Sequence, residues 1–157
     1  MQNFTGTHPT AVALRERSEI ATATGNGRVG SIDARDIAAA AAAALLAPEP
    51  PNTRYLLTGP ETLSYSQVAE IVGEIAGRTI RHTALTAAQL TARWTTAGLP
   101  ETLARTATDL DTAISHGDYD YTTPDVQDLT GQAPRRFQDF ATEHRDTLQA
   151  RVPASHD

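Results

Sequence analysis

Neither cysteine nor lysine occurs among the 157 residues. Without cysteine there is no disulfide framework, no thiolate metal site and no thiol nucleophile. Without lysine there is no Schiff-base chemistry, no phosphate-binding lysine of a nucleotide-triphosphate loop and no Tyr-x-x-x-Lys catalytic pair. Large apolar side chains are scarce too, with three Phe, one Trp and one Met. Alanine supplies much of the apolar content, so the expected core is thin and helix-rich. No apolar run approaches the length of a membrane span, and residues 1–9 lack the charged and apolar regions of a secretion signal. A cytoplasmic setting is the simplest expectation.

Positive charge is also in short supply, with 13 basic residues against 19 acids and a net charge of -6. That balance disfavours nucleic-acid phosphates and anionic membranes as partners. The excess sits in one stretch: residues 101–128 hold seven acids (Glu101, Asp109, Asp111, Asp118, Asp120, Asp125, Asp128) against Arg105, which accounts for the whole net charge. A solvated helix face explains such a run more simply than a cation site.

The patterning that is present favours one α/β unit of ordinary domain size. Asn26 and Gly27 suggest a hairpin turn joining strands at 19–23 and 28–32. Asp33 suits a helix N-cap, followed by an alanine-rich helix over 34–47 whose Ile37, Leu45 and Leu46 supply the bulk for a buried side. Arg54, Tyr55, Leu56 and Leu57 read as a strand ending at Gly59. Ser64 and Gln67 have capping-box spacing, and Val68, Ile71, Val72 and Ile75 recur at helical period until Gly77. Residues 79–85 alternate as a strand. This strand, helix, strand order predicts parallel pairing of 54–58 with 79–85 through a right-handed crossover.

From Thr86 the chain reads as four helices. The first is capped by Thr86 and Gln89 and carries a Leu90, Trp94, Ala97 stripe. The second runs from Pro100 with Leu103, Ala107, Leu110 and Ile114. A short third helix is capped by Thr123 and Pro124, and a last one from Pro134 presents Phe137, Phe140, Ala141, His144 and Leu148. Residues 151–157 read as a flexible tail. The organisation expected is therefore an α/β part over 1–85, a helical region over 86–150 and the tail.

Read in order, several pieces resemble the C-terminal half of NmrA-like proteins, NAD(P)-binding relatives of the atypical short-chain dehydrogenases. Met1, Gln2, Asn3 and Phe4 are similar to the family's Met-x-Asn segment. Gly25 to Val29 leading into Asp33, Ala34, Arg35, Asp36, Ile37 and Ala38 resembles its Gly-Asp-Gly-Arg and Asp-x-Arg-Asp-Ile-Ala stretch. Thr58, Gly59, Pro60 and Glu61 resemble its Thr-Gly-Pro-Glu strand end. Leu129, Thr130, Gly131, Pro134, Phe137 and Phe140 resemble its closing Leu-Thr-Gly-x-x-Pro-x-x-Phe-x-x-Phe motif. Each motif is weak alone, but four in the right order over nearly the whole chain are specific.

The resemblance implies partial Rossmann-like parallel strands followed by a helical substrate-side region. It implies NAD(P) as the cofactor of a complete family member, with Asn3 and Phe4 near the nicotinamide end of the cleft and Trp94 against a small-molecule substrate. Tyr119, in the acidic loop with Tyr121, is the second candidate substrate contact. Core packing for Trp94 and a surface role for Tyr119 are the plain alternatives.

A family member would open on a strand, a Gly-x-x-Gly-x-x-Gly turn and a helix that receives the pyrophosphate. These 157 residues contain no such half. Gly25, Gly27 and Gly30 make a Gly-x-Gly-x-x-Gly string, but it opens no helix and reads as a turn. The chain by itself is expected to bind no dinucleotide, and to associate with itself or a partner subunit through strand edges left unpaired.

His8, His82, His116, His144 and His156 lack ligand spacing, so no metal site is expected, and His82 and His144 read as packed histidines. No Gly-x-Ser-x-Gly elbow surrounds Ser64 or Ser66, which suits capping better than nucleophilic attack. Two functions fit: the substrate-side portion of an NAD(P)-dependent oxidoreductase or redox sensor, inactive alone, or a non-catalytic regulatory or protein-binding module.

Overall fold

Local sequence signals account for most of the helices. The computed structural model describes residues 1–48 and 52–150. A 3-10 turn over Gln2–Phe4 precedes α1 (Pro9–Arg17), β1 (Glu19–Thr22), β2 (Arg28–Val29), α2 (Ala34–Leu46), β3 (Leu63–Ser64), α3 (Tyr65–Ala76) and β4 (Arg81–Ala84). Five helices follow: α4 (Ala87–Thr96), α5 (Glu101–Ser115), α6 (Asp125–Thr130), α7 (Phe137–Glu143) and α8 (Arg145–Gln149).

The capping boxes form as their spacing demands. Ser64 Oγ accepts from Gln67 N at 3.3 Å while Gln67 Oε1 accepts from Ser64 N at 3.0 Å. Thr86 and Gln89 repeat the exchange at the start of α4. Such reciprocal caps satisfy donors that the first helical turn leaves orphaned. Asp33 caps α2 by accepting from Arg35 N at 2.8 Å. Gly77 ends α3 at φ +67°, a left-handed conformation in which a side chain would be strained.

The strands pair differently from the sequence expectation. β1 and β4 form a parallel ladder in which Ile20 faces His82 and Thr22 faces Ala84, while β2 pairs antiparallel with β3. The expected hairpin between 19–23 and 28–32 is therefore absent. The Gly25 turn, at φ +54°, carries the chain off the edge of β1, and Arg28 is drawn to the start of α3 by Thr62 O and Gln67 Oε1. Residues 54–58 form no strand. Their polar groups go to the 120s loop instead: Leu56 N donates to Asp125 Oδ2 at 2.6 Å, Thr123 Oγ1 donates to Leu56 O, and Thr123 N donates to Thr58 Oγ1 at 2.9 Å. A segment whose backbone partners are side chains has no ladder to join. The parallel crossover runs accordingly from β1 to β4.

One cluster forms the core: Phe4, Leu14, Ile20, Leu63, Val68, Val72, Ile80, Phe137, Phe140 and Leu148, with Ala69 and Ala141 filling gaps. It draws on both the strand-bearing first half and the closing helices. Phe4 meets Phe137 edge to face with ring centroids 5.3 Å apart, a favourable aromatic geometry. Ala21, on the opposite side of β1 from Ile20, faces a cleft.

Two helix faces also depart from expectation, and the last helix is interrupted. In α2 the buried residues are Asp36 and Ala40, whereas Leu45 and Leu46 stand 80% and 82% exposed and Ile37 44%. The reason is polar: Asp36 turns inward to accept from Arg135 N at 2.8 Å and to pair with the Arg135 guanidinium. In α5 the buried set is Ala104, Thr108 and Ile114, not Leu103 and Leu110, because Thr108 Oγ1 accepts from Thr91 Oγ1 of α4 at 3.0 Å and sets the rotation. The last helix is broken into α7 and α8 at His144, whose ring stacks on Phe140 at 4.3 Å and reaches Phe140 O through Nδ1. Pro124, not Thr123, precedes α6. Residues 151–157, read from the sequence as a tail, lie outside the described residues.

Candidate functional site

α1 and α4 converge on the exposed face of β1. Pro9 at the first position of α1 is pre-set for helix, and His8 caps it, Nδ1 accepting from Thr10 N at 3.2 Å. At the other end Ser18 adopts φ +53°, turning the chain from α1 straight into β1. On the facing side Arg93 of α4 donates to Glu19 Oε2 at 2.6 Å, locking α4 to the start of β1. Trp94, half-buried, meets the His8 ring edge to face with centroids 5.8 Å apart.

The space enclosed is a cleft of about 520 Å³. Pro9, Val12, Ala13, Ala21 and Ala97 give it an apolar floor, with Trp94 on one side and the guanidinium-bearing Arg17 and Arg93 on its walls. That volume falls within the usual range for small-molecule sites, about 300–1,000 Å³. Burial holds the His8 imidazole, beside Trp94, below its ordinary pKa. The Glu19 carboxyl is held low, chiefly by its hydrogen bond from Arg93.

The expected site residues do not gather in one place. Trp94 lines this cleft. Tyr119 lines a separate hollow of about 160 Å³ with Tyr121, Val29, Gly30 and Leu56 to Thr58, too small for most cofactors and drug-sized ligands. Asn3 is exposed on the 3-10 turn, and the Phe4 ring is packed in the core at 6% exposure. Arg17 and Arg93 escaped the sequence reading because only the folding of α1 and α4 onto one strand brings them together.

A second polar assembly lies at the carboxyl end of the parallel pair. His82 Nε2 meets Thr22 Oγ1 at 2.7 Å, His82 Nδ1 meets Ser66 Oγ at 3.0 Å, and Thr22 Oγ1 meets Thr24 Oγ1 at 2.8 Å. Tyr65 flanks it, its ring 6.1 Å from His82 and its hydroxyl pushed up to about 12 by burial, with Asp111 adding to the rise. Asp111 accepts from Ala23 N at 2.8 Å, and burial raises its pKa. With both imidazole nitrogens engaged, His82 fastens β1, β4 and α3 together.

The glycine string forms a turn within the fold. Gly27 and Gly30 are packed against this chain's own backbone: a Cβ on Gly27 would lie 2.1 Å from Ile114 O, and one on Gly30 2.8 Å from Tyr121 O. The N-termini of α2, α3 and α4 are occupied by the caps of Asp33, Ser64 and Thr86. Among the described residues no group of three or more His, Asp or Glu side chains stands together as metal ligands, and no helix is long and apolar enough to cross a membrane.

No family model matches the chain. An uncharacterized oxidoreductase of Bacillus subtilis, YesF, is 40% identical over 144 residues, which are 92% of this chain and 50% of YesF. The NAD(P)H azoreductase of Xenophilus azovorans is 41% identical over 135 residues, 85% of this chain and 47% of its own. In structure, the NADPH-dependent quinone oxidoreductase QOR2 of Escherichia coli, solved as its complex with NADPH, superposes with a TM-score of 0.78 at 25% identity, over 85% of this chain and 47% of that one. The chain thus spans about half the length of the relatives it matches. In sequence and in fold it is similar, over about half their length, to NAD(P)-binding oxidoreductases of the NmrA-like, atypical short-chain dehydrogenase type.

Proposed function

We propose that this chain is the C-terminal, substrate-side half of an NAD(P)-dependent oxidoreductase or redox sensor of that type. The observation that carries the reading is the match to YesF over 92% of this chain but only half of YesF. The cleft between α1, β1 and α4 is then the substrate-side site, with Trp94 its principal contact. When bound, the nicotinamide cofactor supplies the hydride; these residues contribute a shaped, partly apolar wall that positions the acceptor. Asn3, exposed on its turn, and Phe4 beside it belong to the cofactor side of the same reading, and Tyr119 to the substrate side. A cytoplasmic setting accompanies it.

Because Gly27 and Gly30 are packed against backbone and the N-termini of α1 to α4 are capped by side chains, this chain alone is expected to bind NADPH only in the millimolar range or weaker. Isothermal titration of the 157-residue chain with NADPH and NADH tests this. A dissociation constant in the low micromolar range, roughly -7 to -8 kcal/mol, would mean that a dinucleotide grip lies within the chain after all.

A further inference from the structure

We propose that His8 makes the first turn of α1, and with it one wall of the cleft, responsive to protons: the neutral imidazole holds the turn and the imidazolium releases it. The device concerns this wall alone and stands or falls independently of the oxidoreductase reading.

The cap fixes the protonation state that it needs. Helix N-caps are usually Ser, Thr, Asp or Asn, whose oxygens accept a hydrogen bond without titrating near neutral pH. In α1 the acceptor is instead a ring nitrogen, His8 Nδ1, which takes the Thr10 N–H at 3.2 Å. A nitrogen that accepts carries a lone pair, so the proton of the neutral ring is on Nε2 and the next proton can go only to Nδ1. That proton turns the acceptor into a donor. Thr10 N–H then loses its partner, and a positive charge comes to lie at the positive end of the α1 dipole. Both effects loosen the first turn, and a Ser or Asn cap is subject to neither.

The position of this turn gives the loss its consequence. Thr7, Pro9, Thr10 and Val12 line the cleft, and the His8 ring meets Trp94 of α4 edge to face at 5.8 Å. One imidazole therefore touches both helices that enclose the cleft, α1 through the cap and α4 through the indole. The charged groups around it are engaged elsewhere. Arg15 of α1 donates to Gly6 O at 2.7 Å, Arg17 lies beside Glu16 and Glu19, and Arg93 of α4 binds Glu19 of β1 at 2.6 Å. Arg145 and Asp146 belong to α8, which also packs on α1. Among the described residues none of these groups pairs with His8, and burial holds its imidazole below the ordinary pKa, which favours the neutral, capping form.

The full chain, labelled with nitrogen-15, is followed by NMR from pH 7.5 to pH 5. At pH 7.5 His8 should show the Nε2–H tautomer. As the pH falls, the Thr10 amide and the indole N–H of Trp94, the sole tryptophan, should shift together with one midpoint below about 6.5. His8→Asn and His8→Ser keep a capping acceptor that does not titrate, so both should abolish this transition. At pH 5 the wild-type Thr10 amide should exchange with solvent up to about fivefold faster than in these variants, the factor that loss of one cap implies, and at pH 7.5 equally fast. His82→Gln, which removes the other imidazole held low by burial, should leave the transition in place. An Nδ1–H tautomer at pH 7.5, a Thr10 transition that survives the Asn and Ser caps, or a Thr10 amide that stays unmoved while the His8 ring titrates overturns the proposal.

Discussion

Asp36 shows how a single side chain sets the orientation of a helix. Its carboxylate is 4% exposed and takes two donors from Arg135, one from the backbone and one from the guanidinium. Removing the carboxylate strands both donors, while removing the guanidinium leaves the backbone bond. Asp36→Ala is therefore expected to cost about 2–4 kcal/mol and Arg135→Ala only about 1–2, the guanidinium being 39% exposed and partly screened. Chemical denaturation of the two variants checks the order, and a larger loss for Arg135→Ala would contradict it. His82 carries a second prediction at this scale. Burial holds its pKa and that of His8 below the ordinary imidazole value, so the unfolded chain binds more protons than the folded one once the pH drops below about 6.5. Stability is complete above that pH and declines as pH falls through it toward the lower folded values. The urea midpoint should be lower at pH 5.5 than at pH 7.5, and His82→Gln should shrink the difference. Asp33, held far below the usual carboxylate range mainly by Arg35, loses its contribution only at more acid pH, below about 4.

Among the elements, α3 is the one whose sequence and structure agree most fully. Its cap, apolar stripe and glycine stop all lie within fourteen consecutive residues, Ser64 to Gly77, and all take the form that their spacing requires. Ser64→Ala should lower stability by about 1 kcal/mol, and Ser64→Asp, which keeps a capping oxygen, should be nearly silent in a thermal melt. Equal large losses in both would point to a role other than capping. α2 teaches the opposite lesson. Its alanine run makes a helix certain but offers no apolar stripe to fix rotation, so a buried ion pair at Asp36 chose the face and left Leu45 and Leu46 in solvent. The 54–58 segment failed as a strand for a comparable reason: its apolar run satisfies a strand pattern, yet Thr123 and Asp125, more than sixty residues away, claim its backbone.

At the scale of the molecule, the parallel ladder has only two strands among the described residues, each with one strand neighbour. Exposed edges are templates for pairing with another chain, and the exposed Ile37, Leu45 and Leu46 of α2 add apolar surface outside the core. These features support the proposal that the chain associates, with a second copy or with a partner subunit. Light scattering across a wide concentration range should show a mass above that of one 16.8 kDa chain, and Leu45→Glu combined with Leu46→Glu should lower the association. A strictly monomeric species with sharp, dispersed amide resonances would refute it.

What the sequence determined by itself was local. Caps, stops and helical periods lie within three to seven residues of one another, so α1 aside, every long helix was legible, as was the family likeness carried by short ordered motifs. The same is true of the chemical exclusions, since a chain without cysteine or lysine cannot perform thiolate or Schiff-base chemistry in any fold. What only the tertiary structure decided was every feature built from distant partners: which strands pair, which face of α2 and α5 is buried, and the meeting of Arg17, Arg93 and Trp94 across a cleft. The physical reason is that strand register and helix rotation are settled by contacts whose partners lie tens of residues away. A polar contact such as Asp36 with Arg135, separated by 99 positions, leaves no periodicity to read.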